Sequence, residues 1–519
     1  MAQPQETART NTKRQIAGDL LCIGVLISLC LIIGLPRFRS GIDLMDEGSL
    51  AYGAVRVMDG QVPNRDFVSL QPPLSFYTVA TIFKLFGTSL VSLRIFGLGI
   101  YLLIPLLIYG IARNIVGRGL SLAAAIPATI LGISYFDFVP SAVWQGITAT
   151  AMAVLLYLWA MRCGSRPWLG LLAGVMTAVS LLSRQDQGLY AAISIVVYTL
   201  VLNHSRGKIV PRDTPGRILG WWALGVFTAV LPWGIYWCAQ GALPAMFKQL
   251  IVFPLTTYAK TSSWPFPEFS PQAPLAQNAI VGLYYLPPVV QILAAFWLRR
   301  QSRRGNWRLR EADVMFMLAW SALYYYQVLT RSDLYHLLIT LAPFFILCAC
   351  GWGAVLESLE KAVSTIARRL LSAAVAGVVA LFLLSNMPVF LKNETPLEEM
   401  MLSRAGVRVD GGAGLAHFVR LVQAAAPAGR SILCLPYEPM FYFLCERRNP
   451  TRWNYIWPGD QTAEDHRALI RQARRDPPAV VVITGEADMA RYAPAILDYV
   501  HAEFRKTAEG SGFTVYLPK

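Results

Sequence analysis

The sequence is short of charge. Only 15% of its 519 residues are Asp, Glu, Lys or Arg, against about 25% in a soluble globular chain, which excludes an ordinary water-soluble protein. Acids are scarcer than bases, 31 against 46. The surplus bases are not interleaved with aromatics on one soluble face, as a nucleic-acid binder would require, so no nucleic-acid partner is expected. No glycine-rich phosphate loop and no internal repeat occur, and the eight cysteines show no metal-ligand spacing. Most of them (Cys22, Cys30, Cys238, Cys348, Cys350) lie in apolar runs and read as small buried hydrophobes. Cys434 and Cys445 could pair in an oxidising compartment. No small-residue cleavage site follows the first apolar run, which therefore reads as a retained anchor rather than a signal peptide.

What fills the chain instead is apolar surface, 55% of all residues. Runs such as "LLCIGVLISLCLIIGLP", "LGIYLLIPLLIYGIA" and "LLSAAVAGVVALFLLSNM" approach the roughly 20 residues a bilayer crossing needs. Between them, Lys and Arg collect in alternate loops: Arg9, Lys13 and Arg14; Arg113 and Arg118; Arg162 and Arg166; Arg206, Lys208, Arg212 and Arg217; Arg299 to Arg310; Lys361, Arg368 and Arg369. The positive-inside rule makes these loops cytoplasmic. The expected fold is a polytopic α-helical membrane protein with about eleven crossings, near 18–36, 92–112, 119–134, 141–161, 168–183, 188–203, 218–239, 276–298, 312–329, 336–356 and 370–387. Residues 1–17 then form a cytoplasmic tail, 18–387 the membrane domain and 388–519 an extracytoplasmic domain.

The first outward loop, 37–91, contains "PPLSFYTVATIFKLFG", and 246–260 reads "MFKQLIVFPLTTYAK". Both are apolar on one side only and predict helices lying on the membrane surface. Beyond Asn393, short β-like runs ("SILCLPY", "PAVVVITG", "FTVYLPK") alternate with helical patterns, which predicts a small soluble α/β domain. No chemistry is assigned to it.

The same topology puts Asp43, Asp46, Glu47, Asp59, Asp66, Asp137, Asp186, Glu268 and Asp333 on the outward side, with Arg184, Arg331 and His336. Charged groups are costly inside a bilayer and collect at its boundary or in a cavity. On one helix Asp43, Asp46 and Glu47 would share a face at i, i+3, i+4, and crowding would raise the proton affinity of at least one, as a general base needs. They could equally cap a helix starting near residue 44. In "RSDLYHL" (331–337) the Arg331 fork and His336 suit phosphate oxygens, or Arg331 and Asp333 form a loop ion pair with His336 at the interface. "SRQDQG" (183–188) offers Arg184 and Asp186 at a segment end, as an anchor or a second cation.

The pattern "DEG…Y…G…P…DF…PPL…Y…FKLFG…S…R" from Asp46 to Arg94 resembles the first outward loop of the GT-C membrane glycosyltransferases, bacterial relatives of protein O-mannosyltransferases and lipid A aminoarabinose transferases. "RSDLYH" resembles their later Arg/Asp…His loop. The resemblance implies an inverting transferase of the bacterial inner membrane that takes its sugar from a polyprenyl-phosphate donor to a glycan, lipid or protein acceptor. It implies Asp46 and Glu47 as catalytic carboxylates with Asp46 the base, Arg331, His336 and Arg184 at the donor phosphate, and Asp66, Asp137 and Asp333 lining the pocket. A divalent metal cofactor is left open. Where the aminoarabinose transferases have Lys before the double proline this chain has Gln71, a departure that leaves the carry-over of their substrate, and of a metal site built nearby, open. Two other classes remain: a transporter or flippase of lipid-linked glycans, which would place ionisable groups at the midplane of broken helices, and a non-enzymatic scaffold whose C-terminal domain docks a partner.

Overall fold

A computed structural model describes residues 3–133, 138–205, 207–360, 362–385, 397–510 and 512–519. Helices dominate. In chain order they are α1 (Gln3–Gly34), α2 (Asp46–Met58), α3 (Leu74–Phe86), α4 (Leu90–Arg113), α5 (Arg118–Ile133), α6 (Ala142–Cys163), α7 (Pro167–Ser183), α8 (Gln185–His204) and α9 (Thr214–Ala239). After α10 (Leu243–Phe247), two π-helical turns and α11 (Ala259–Thr261) come α12 (Leu275–Arg303), α13 (Leu309–Thr330), α14 (Leu334–Leu338), α15 (Leu341–Ser358) and α16 (Thr365–Ser385). The expected crossings coincide with these helices except that 336–356 is broken between α14 and α15, and 370–387 is described as far as Ser385, the end of α16. Among the described residues, seven are long and apolar enough to span a bilayer unaided; α5 and α7 are shorter apolar helices. The bundle holds together by close approach as well as by side-chain packing. Gly174 of α7 lies against the Trp222 carbonyl and Gly225 of α9 against that of Leu171, so a Cβ at either would strike backbone. Small residues at helix contacts are the usual device where lipid removes the hydrophobic drive between helices.

Both segments expected as surface helices are helical, α3 (with α2 before it) in the first loop and the stretch 243–261. Past α16 the chain forms a two-stranded pair, β1 (Glu398–Glu399) with β2 (Arg408–Val409), then a four-stranded sheet ordered β3-β4-β6-β5. Its strands are β3 (Ile432–Leu435), β4 (Val480–Ile483), β5 (Phe504–Gly510) and β6 (Phe513–Pro518). β3 and β4 run parallel; β4–β6 and β6–β5 are antiparallel. Every residue of β3 and β4 is buried, as a strand covered on both faces requires. On one face Leu433, Leu435, Val481 and Ile483 pack against α19 (Ala463–Arg475), α20 (Glu486–Tyr492) and α21 (Pro494–Glu503). On the other, Ile432, Cys434, Val480 and Val482 share one core with α17 (Gly412–Ala425), α18 (Met440–Cys445) and the loop helices α2 and α3. The core on this face of the sheet is therefore completed by the first loop. Cys434 and Cys445 are both buried there as free thiols, not paired.

The join is specific. The Gly41 N–H donates to the Arg408 carbonyl at 2.8 Å, and the Arg408 N–H to the Arg39 carbonyl at 2.7 Å. Tyr52 stacks on Tyr442 with ring centres 4.8 Å apart, and its hydroxyl accepts from the Asn449 N–H at 2.7 Å. The buried Arg56 guanidinium donates to Asn454 Oδ1 at 2.7 Å and to the Thr451 carbonyl at 3.2 Å.

Candidate functional site

The three acids at the head of the first loop meet three different fates, because α2 begins at Asp46 rather than before Asp43. Asp43 lies outside the helix and caps it: its Oδ1 accepts the N–H groups of Met45 at 2.8 Å and Asp46 at 2.9 Å. This is the capping alternative, realised for one acid of the three. Glu47 points into the protein. Its two oxygens take Nε and Nη2 of Arg94, each at 2.7 Å, with both side chains 0% exposed. Arg94 donates further to the carbonyls of Ser40 and Gly41 at 3.0 and 2.9 Å. Glu47 thus stands apart from Asp46 and fastens the loop to α4.

Asp46 alone keeps its carboxylate exposed, yet the protein around it is dense enough that burial raises its pKa to about 6, helped by Asp43 and opposed by Arg331 and Arg184. Its position in the first turn of α2 also sets it at the positive end of the helix dipole.

Two cations reach this carboxylate from the bundle. Arg184 sits at the α7–α8 joint, where its Nε donates to Asp186 Oδ1 at 3.0 Å. Asp186 is held in turn by Gln327 Nε2 at 2.8 Å. Arg331 ends α13; its Nε donates to Asp333 Oδ2 at 2.7 Å and its Nη1 to the Tyr258 hydroxyl at 2.9 Å. Asp333 Oδ1 accepts from the His336 N–H and meets His336 Nδ1, both at 2.8 Å. The loop ion pair is therefore real, and Arg331 faces Asp46 as well. His336 and Asp333 act on Asp46 through Arg331. Hydrogen bonding from His336 and the charges of His336 and Arg331 hold the Asp333 carboxyl below its usual range despite burial.

Asp66 does not join this group: its Oδ2 caps the Val62 N–H at 2.7 Å and pairs with Arg65 at 2.8 Å, which lowers its pKa. Asp137, expected in the pocket, lies outside the described residues. Among the described residues, no group of three or more His, Cys, Asp or Glu side chains is arranged to hold a metal ion.

Three aromatic neighbours escaped the sequence reading. Tyr335, next to His336, feels both Arg184 and Asp46. Tyr258 holds Arg331. Tyr455 comes from the C-terminal domain and lies in the field of Asp46, Asp460 and Tyr258. Burial raises the pKa of Tyr335 and of Tyr455, so both stay protonated and present hydroxyl donors. Asp460 is raised to about 6 by burial, and its Oδ1 accepts from the Thr261 hydroxyl at 3.2 Å. Only "RSDLYH" carried a signal for one of these three, since Tyr335 lies within it. The arrangement can take a proton at Asp46 and hold an anion at Arg184 and Arg331, whose charges act on that carboxylate.

Comparison with known proteins adds a fold. Residues 70–236 match the family model described as dolichyl-phosphate-mannose-protein mannosyltransferase. No curated protein matches the chain by sequence. Among solved structures, ArnT from Cupriavidus metallidurans bound to undecaprenyl phosphate superposes with a TM-score of 0.57 at 13% identity, over 96% of this chain and 97% of that one. The archaeal oligosaccharyltransferase AglB from Archaeoglobus fulgidus, in complex with an inhibitory peptide and a dolichol-phosphate, gives a TM-score of 0.59 at 12% identity, over 96% of this chain and 74% of that one. The chain is an integral membrane protein that shares the fold of ArnT and AglB.

Proposed function

We propose that this protein is a membrane glycosyltransferase that moves a sugar from a polyprenyl-phosphate donor to an acceptor hydroxyl on the outward side of the membrane. The observation that carries the reading is Asp46: an exposed carboxylate whose pKa burial raises to about 6 and on which the charges of Arg331 and Arg184 act. The family model and the lipid-phosphate ligands of ArnT and AglB support the donor class.

In the proposed reaction Asp46 accepts the proton of the acceptor hydroxyl. The freed oxygen attacks the anomeric carbon, the bond from that carbon to the phosphate oxygen breaks, and the lipid phosphate leaves with the electron pair. A single displacement of this kind inverts the sugar. Negative charge grows on the phosphate as the bond breaks, and preorganised guanidinium donors stabilise that charge more in the transition state than in the ground state. Arg331 and Arg184 take this role, with Asp333 and His336 fixing the orientation of Arg331. Tyr455 offers a neutral hydroxyl to the substrates. Glu47 is assigned to holding the loop rather than to chemistry.

The test is Asp46→Asn, which keeps size and polarity and removes the base. Loss of a general base costs roughly 10²–10⁴ in rate, so transfer of a labelled sugar from a polyprenyl-phosphate donor should fall by that factor with protein yield unchanged. Wild-type transfer by this variant would eliminate the assignment.

A further inference from the structure

The opposite end of the bundle carries a feature that sugar transfer does not use. α12, α13 and the loop between them line an open groove of about 420 Å³, within the roughly 300–1,000 Å³ range of small-molecule sites. Its walls are apolar: Leu298 from α12, Met315 and Leu318 from α13, with exposed Ala322 at the far end. Its rim is different. Arg299 and Ser302 line the mouth beside Trp307, and Arg303 stands one turn beyond Arg299 on the same helix face. Arg299, Arg300, Arg303 and Arg304 are all exposed, and none forms an ion pair among the described residues. The nearby acids are engaged elsewhere: Glu357 holds Arg310 at 2.6 Å and Glu311 caps the Arg308 N–H at 2.9 Å.

Arg331, at the far end of α13, lies 22 residues from Leu309, or about 33 Å along a helix, which is close to the thickness of a bilayer core. The groove therefore faces the leaflet opposite Asp46. The outer face of α12 beside it is greasy, with Val289, Ile292, Leu293 and Phe296 exposed, so the groove opens where lipid tails lie. An apolar slot that ends in uncompensated guanidiniums at the membrane surface, with an amphipathic Trp at its lip, matches one occupant in both parts.

We infer that the α12–α13 groove seats an anionic phospholipid, one acyl chain along Leu298, Met315 and Leu318 and its headgroup phosphate on Arg299, Ser302 and Arg303. Basic pockets between helices at a membrane surface recognise such headgroups, and each basic residue near the surface is worth roughly a fivefold preference for anionic over neutral lipid.

Native mass spectrometry of the full chain, with phosphatidylglycerol or phosphatidylcholine added at equal concentration, tests this directly. The native chain should retain the anionic lipid several-fold better, and Arg299→Gln/Arg303→Gln should lower that preference by roughly fivefold per arginine. Ala322→Trp, which fills the slot from its far end, should weaken retention of both lipids. Glycerol phosphate should not displace the bound lipid. Equal retention of the two lipids by the native chain overturns the inference without recourse to any variant. An unchanged preference in the double variant overturns the headgroup assignment. Complete displacement by glycerol phosphate would reassign the site to a free phosphate.

Discussion

At the scale of single residues, Asp46 governs how the site should respond to pH. Its pKa stands at about 6 in the folded chain against an ordinary 3.8. Protonated, it cannot act as a base, so kcat/KM for transfer should fall as pH drops through about 6, read as a single acid limb in the rate profile. The effect on stability has the opposite sign. A carboxyl whose pKa rises on folding favours the native state below its unfolded value, and that benefit is lost as pH climbs through about 6. Asp46→Asn should therefore melt no lower than the native chain at pH 7.5, while transferring almost no sugar. A bound phosphate would also offset the two arginines that now lower the Asp46 pKa, so the limb measured in kcat should lie at higher pH than the limb in kcat/KM. Identical limbs would argue against Arg331 and Arg184 as the phosphate site. The residue types of this site were legible, since acids and arginines concentrated outside apolar runs have few places to be. Their division of labour was not. The i, i+3, i+4 spacing presumes a helix through Asp43, and the real helix starts three residues later.

At the scale of elements, the eleven helical segments could be read because a bilayer demands long apolar runs and alternating basic loops. Contacts between elements could not. Arg94 closes the motif that begins at Asp46, but nothing in a spacing of 47 residues says that it takes both oxygens of Glu47 in a fully buried pair. Removing one partner of such a pair strands the other charge and costs about 3–5 kcal/mol, whereas replacing both with apolar groups is often neutral. Glu47→Gln should thus lower the melting temperature sharply, and Glu47→Leu/Arg94→Met should restore part of it, the Ser40 and Gly41 carbonyls having lost their Arg94 donors; thermal melts of the three chains decide. Gly48 gives a second element-level test. A Cβ there would meet the backbone of Met440 at the start of α18, so Gly48→Ala should cost about 1–3 kcal/mol by overpacking and should lower transfer by shifting α2 against α18. Unchanged activity and an unchanged melt would show that this contact yields easily.

At the scale of the whole molecule, the C-terminal sheet is not an appendage. One of its faces is closed by α2 and α3, and Tyr455 projects from it into the field of Asp46. Composition alone announced the α/β domain, because charge rises and strand-like runs appear beyond Asn393. It could not announce the shared core, since the pairing of Tyr52 with Tyr442, or of Arg56 with Asn454, spans nearly four hundred residues. Deleting residues 394–519 should strip the loop of its packing partner, so limited proteolysis should cut between residues 37 and 91 and transfer should be lost. A truncated chain that still transfers sugar would reduce the domain to a docking module. The buried Arg56, gripping Thr451 and Asn454, has a consequence for anyone recombining such proteins. A chimaera that exchanges only the tail would inherit a mismatched latch, so a graft of the C-terminal domain must carry residues 37–91 and 397–519 across together.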